Sequence, residues 1–115
     1  MSYPNYDLSM DAYQSRAMDT AIFPKENATS YLALKLCGES GEVAEHIGKS
    51  IRDDAGEITP ARRDALKKEL GDVLWYVANL AHELGFSLEN VANANLHKLS
   101  DRKDRGVLGG SGDER

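Results

Sequence analysis

The sequence predicts an all-α protein, a bundle of about four helices. Three observations carry that reading. Apolar residues recur at three- and four-residue steps, no stretch alternates apolar and polar residues as a half-buried strand does, and Ser, Thr, Gly and Pro stand where helices start and stop. A chain of 115 residues suits a single domain.

Ser9 is the N-cap expected for a first helix through about Ala21, with Met10, Tyr13, Ala17 and Ile22 on one side and Pro24 as the stop. Asn27 or Thr29 caps a second helix to about Arg52, in which Leu32, Leu36, Val43, Ile47 and Ile51 keep helical spacing. A linker, Asp53 to Ile58, follows. Thr59-Pro60 is a strong start, because proline at the first helical position lacks only an N–H that has no partner there.

The third helix runs to Leu84, with a broad stripe of Leu66, Leu70, Val73, Leu74, Val77, Leu80, Ala81 and Leu84, and Gly85 sits at the C-terminal position glycine favours. Ser87 opens a fourth helix carrying Leu88, Val91, Ala92, Asn95 and Leu99, ending before Gly106. The short linker makes helices two and three antiparallel neighbours. The helical domain thus covers residues 1–105. A flexible tail, residues 106–115, contains Gly109, Gly110, Ser111 and Gly112; disorder is expected there unless a bound ligand orders it.

A net charge of −5 argues against a polymeric nucleic-acid partner, which calls for an excess of Lys and Arg, but leaves room for a single phosphorylated metabolite. The lone Cys37 forms no intrachain disulfide and no Cys/His spacing reads as zinc, so a reducing compartment fits. Met1–Leu8 is polar, and no apolar run approaches the roughly 20 residues that span a bilayer. No membrane partner is expected, and the cytoplasm is the expected location. So short a chain leaves much surface exposed, so self-association is expected as well.

Glu39 and Glu42 on the second helix, and Glu69 and Asp72 on the third, are each three residues apart and so share a helix face. If the two faces oppose, four carboxylates converge and repel unless a cation joins them; an all-oxygen set suits magnesium, with manganese as a substitute. Glutamate pairs at this spacing are more often solvated surface. Against that stand Gly38, Gly41 and Gly71, since glycine within a helix costs about 1 kcal/mol relative to alanine and suggests a crowded locus. A di-iron bundle is disfavoured, because Val43, Asn79 and Ala94 stand three residues before His46, His82 and His97, where its Glu-x-x-His pairs need glutamate. Each histidine is read as surface or hydrogen-bonded.

The stretch Gly38-Glu39-Ser40-Gly41-Glu42-Val43-Ala44-Glu45, followed after a spacer by Glu69-Leu70-Gly71-Asp72-Val73-Leu74-Trp75-Tyr76, resembles the ExxE, spacer, ExxD signature of the MazG nucleotide pyrophosphohydrolases. The spacer between Glu42 and Glu69 is 26 residues. Similarity extends to Tyr13-Gln14 and to Asn95, Lys98, Leu99 and Arg102, and the run from Arg105 to Asp113 resembles a subgroup of short members. The residues after Arg102 depart from the Tyr-Pro continuation of better-known members, and Glu114 stands where asparagine is expected.

The resemblance implies an all-α bundle, assembled as a dimer or tetramer, that hydrolyses a nucleoside triphosphate, with a deoxynucleoside expected, to the monophosphate and pyrophosphate. Magnesium would be held by Glu39, Glu42, Glu69 and Asp72, one of them also serving as base. Asn95, Lys98 and Arg102 would meet sugar or phosphate, although a basic helix end complementing the macrodipole explains the last two without a ligand. Lys49 and Arg52 are read as a solvated helix end, and Trp75 as core. Housecleaning of nucleotide pools is the implied role. Two other readings are a phosphoribosyl-nucleotide pyrophosphohydrolase of the same superfamily and a non-catalytic helical interaction module.

Overall fold

Helices form where the start signals stand. The computed structural model describes residues 5, 6 and 8–115, and among these all regular structure is helical. The reading of Met1–Leu8 as a polar segment falls largely on residues outside that set. Helix α1, Met10–Met18, opens as expected, with Ser9 Oγ accepting from the Ala12 amide at 3.1 Å. It stops short of Ala21. Thr20 Oγ1 donates to the Ala17 carbonyl at 2.9 Å, and the Asp19 and Thr20 amides bond three residues back, which tightens and closes the last turn.

A short 3-10 turn, Lys25–Asn27, leads into α2, Ala28–Asp53. Asn27 occupies the N-cap position, but its side chain makes no capping bond. At the far end Ala55 (φ 54) and Gly56 (φ 81) adopt left-handed conformations in succession, and the Asp54 and Gly56 amides both bond the Ser50 carbonyl. That reversal starts α3, Pro60–Glu83, whose Thr59 cap accepts from the Arg62 amide at 3.2 Å. Gly85 (φ 84) turns the chain into α4, Leu88–Asp104, capped by Ser87 Oγ on the Asn90 amide at 3.0 Å.

The antiparallel hairpin α2/α3 is the main packing unit; α1 lies against α3 and the start of α4, and α2 makes no helix contact with α4. Buried Gln14 fastens the α3–α4 corner to α1. Its Nε2 donates to the carbonyls of Ala78 (3.0 Å) and Phe86 (3.1 Å), and its Oε1 accepts from the Leu88 amide (3.0 Å). One amide side chain thus satisfies three backbone groups at the corner where α4 departs. Ala17, Ala78 and Leu88 form the core there, with Tyr13, Trp75 and Val77 packed around them. Trp75 takes the expected core place, its Nε1 donating to Thr20 Oγ1 at 2.8 Å.

Much of the predicted apolar stripe stays outside this core. Leu32 and Ala81 are buried, but Ile51 is 66% exposed and Leu70 58%, and Leu74, Leu84 and Leu99 are also exposed. The radius of gyration is 17.0 Å, whereas a compact domain of 100 residues has roughly 13 Å. The physical reason is the departure of α4, which leaves one face of the hairpin uncovered.

Candidate metal centre

Glu39 stands mid-way along α2, and Glu69 and Asp72 on the facing stretch of α3. One carboxylate oxygen from each of the three lies within 4.8 Å of the others. Antiparallel packing of two helices, each with its acids three residues apart, therefore brings together acids far apart in sequence. Burial comes first and the neighbouring Asp72 second in holding the Glu39 carboxyl above its ordinary range; Glu69 and Glu42 add to the rise and Lys35 opposes it. Among the described residues neither Glu39 nor Asp72 forms an ion pair within 4 Å. Three hard oxygen donors whose charges disfavour one another suit a hard divalent cation.

Glu42 shares the acidic side of α2 with Glu39 and acts on it through charge, but lies outside the three-oxygen group. Sequence spacing alone places four acids on facing helices; the approach of the helices brings three of them together. The crowding expected at the glycines is not produced by this chain: a Cβ added at Gly38, Gly41 or Gly71 would meet nothing within 4 Å. These glycines border open space beside the acids.

Several groups next to the acids escape a reading by motif. Lys35 lies one turn before Glu39, a spacing the sequence does display, and its Nζ sits 6.0 Å from the ring centre of Tyr76. Burial raises the Tyr76 hydroxyl pKa, with the charges of Tyr31, Glu39 and Asp72 adding. On α1, burial and then the charge of Asp72 raise that of Tyr13. His46 Nε2 lies 3.6 Å from Glu69 Oε1, and no sequence spacing announces that pairing.

Asn95 and Lys98 are placed elsewhere, lining an open cleft of about 390 Å³ on α4 with Phe86, Asn90, Val91 and Ala94. The side chain of Arg102 is 5% exposed and turned onto the tail, where its Nη2 donates to the Asp113 carbonyl at 2.8 Å and lies 3.3 Å from Asp113 Oδ1. Lys98 Nζ reaches the same carboxylate oxygen at 3.4 Å. Arg102's hydrogen bond first, and the charge of Lys98 next, hold the Asp113 carboxyl below its ordinary range. Arg115 closes the tail on itself, donating to the carbonyls of Val107, Leu108, Gly109 and Gly112. Lys49 pairs with Glu45 and Arg52 with Asp53, as a solvated helix end does.

A family model described as the MazG nucleotide pyrophosphohydrolase domain matches residues 27–107, a stretch that contains all four acids and Asn95, Lys98 and Arg102. The chain belongs to the MazG family. Gene 37 protein of Mycobacterium phage L5 is 48% identical over 114 residues, 94% of this chain and 100% of that relative. Two uncharacterized proteins of Bacillus subtilis (strain 168) are also similar. YvdC is 35% identical over 72 residues, 58% of this chain and 68% of its own, and YpjD is 33% identical over 84 residues, 70% and 75%. No solved structure matches significantly. Membership in the MazG family supports a hydrolase acting on a nucleotide's pyrophosphate linkage, and the acidic cluster fits the divalent metals that MazG enzymes generally use. Among the described residues no helix is long and apolar enough to cross a membrane.

Proposed function

We infer that this protein hydrolyses a nucleoside triphosphate to the monophosphate and pyrophosphate with magnesium held by Glu39, Glu69 and Asp72. The meeting of three carboxylate oxygens within 4.8 Å in a MazG domain carries the reading. A bound divalent ion supplies charge neutralisation along the phosphate chain and lowers the pKa of water in its shell. Glu42, beside the group but outside it, is left free to take the proton of the attacking water. Lys98 presents a point charge to phosphate and Asn95 hydrogen-bonds sugar or phosphate, while Arg102 holds Asp113 and the tail beside them.

The same reading calls for more than one copy of the chain. In one chain α4 makes no helix contact with α2, and Asn95 and Lys98 line a cleft that none of the acids lines. Exposed Leu70, Leu74, Ile51 and Leu96, and the open space beside Gly38, Gly41 and Gly71, favour a second copy that covers the hairpin and offers its α4 there. Sedimentation of the whole chain is expected to give a dimer or larger species; a monomer at assay concentration contradicts the shared site.

Product analysis tests the chemistry. Canonical and modified ribo- and deoxyribonucleoside triphosphates are incubated with the protein, with and without magnesium. Monophosphate and pyrophosphate, formed only with metal, are expected. Diphosphate and orthophosphate, or no turnover of any triphosphate, would overturn the proposal, and turnover of a phosphoribosyl nucleotide alone would replace it.

A further inference from the structure

Five polar side chains, all half-buried, run from the α2–α3 linker toward the metal centre. The Thr59 cap fixes the Arg62 amide, 3.2 Å from its Oγ1, at the start of α3. The Arg62 guanidinium then bridges two helices: Nη2 donates to Asp54 Oδ2 at 3.1 Å, and Nη1 lies 3.4 Å from His46 Nδ1 on α2. The Arg62 Nε is buried without a partner. On the other side of the imidazole, His46 Nε2 faces Glu69 Oε1 at 3.6 Å, with each side chain 21% exposed.

A guanidinium has only hydrogens to offer, so the His46 nitrogen facing it must present its lone pair. The proton of the neutral ring is thereby placed on Nε2, the nitrogen facing Glu69. We propose that His46 is a positioning residue: Arg62 fixes its tautomer so that the Nε2–H orients the Glu69 carboxylate for metal binding. The 3.6 Å separation is a few tenths of an ångström beyond a hydrogen bond, so orienting Glu69 requires the two side chains to close that gap when the carboxylate takes an ion. With one oxygen held by His46, Glu69 keeps the other for a cation. Groups that hold a ligand carboxylate in this way typically set metal affinity by 10–100-fold. The inference rests on the metal reading of Glu39, Glu69 and Asp72, and its own content is the ring's proton and what that proton holds.

Nitrogen NMR of the metal-free full chain, at a pH where the ring is neutral, reads the tautomer directly. The Nε2–H form is expected to predominate at His46. A predominant Nδ1–H form would overturn the proposal without reference to metal. Manganese titrations of the wild type, His46→Leu and His46→Gln then read the consequence. His46→Leu is expected to weaken binding about 10-fold or more, and His46→Gln, which keeps a donor, to restore most of it. Equal affinity in the wild type and His46→Leu overturns the positioning role alone, and equal weakening in both variants does so too. A wild type that binds no metal overturns the metal reading and this role together, whichever tautomer is found.

Discussion

Arg102 donates to the main-chain carbonyl of Asp113 at 2.8 Å while Lys98 and Arg102 share that residue's carboxylate, so an acid from the tail pairs with both the buried Arg102 and the more exposed Lys98 of α4. A phosphate oxygen approaching Lys98 meets this internal anion first. Asp113→Asn removes the charge and leaves the carbonyl contact. It is expected to tighten inorganic pyrophosphate binding by about threefold at low salt, the scale of an exposed ion pair. Calorimetry checks it, and unchanged or weaker binding would mean that Lys98 does not meet phosphate.

Gln14 provides a separate test of the fold. Gln14→Leu keeps an apolar body but strands the Ala78 and Phe86 carbonyls and the Leu88 amide. The expected loss is about 3 kcal/mol of unfolding free energy, since each stranded buried group costs roughly 1–3 kcal/mol and water recovers some of it. Urea unfolding reads the change as a lower midpoint with an unaltered slope. A loss below about 1 kcal/mol would show that Gln14 is not the fastening at this corner.

How much of this was legible in the sequence depends on whether the determinant is local. Ser9, Thr59 and Ser87 sit at the caps where their hydroxyls bond, and Thr59-Pro60 marks the start of α3. The end of α1 was missed because the Thr20 hydroxyl competes for a helical carbonyl, a choice periodicity does not display. The carboxylate cluster was legible through spacing plus the antiparallel hairpin. The separation of Asn95 and Lys98 from it was not, because it depends on where α4 departs. Arg62 and His46, 16 residues apart, meet only once the hairpin has closed. The glycines of the tail point to disorder unless a ligand orders it, and they say nothing of the contacts made by Arg102, Asp113 and Arg115, whose pairings leave no periodic trace.

Stability should depend on pH through Glu39. Burial and the charge of Asp72 raise its carboxyl pKa in the folded state, so between the unfolded and folded values the native chain holds a proton that the unfolded chain has released. Metal-free stability from this group is therefore present below the ordinary carboxylate value and declines as pH rises through the folded one. Melting temperatures of chelator-treated protein across that window are expected to fall more steeply for wild type than for Glu39→Gln. Parallel curves would mean that the acids do not strain one another.

Asp72 and Glu42 should separate by what their loss removes. Asp72→Asn takes an oxygen from the three-carboxylate group and is expected to weaken manganese binding and abolish turnover with helicity retained. Glu42→Gln is expected to leave metal affinity within about threefold while lowering kcat about 100-fold or more, the scale of a lost proton acceptor. Circular dichroism, metal titration and steady-state rates on both variants check this. Full turnover in both would refute the assignment of the site.

The most direct measurement is hydrolysis of a turned-over nucleoside triphosphate in water labelled with heavy oxygen, with magnesium present, followed by mass analysis of both products. Attack at the α-phosphorus puts the label in the monophosphate and leaves pyrophosphate unlabelled, which is the result expected here. Label in pyrophosphate or orthophosphate, or the same turnover after chelation of the metal, would contradict the account.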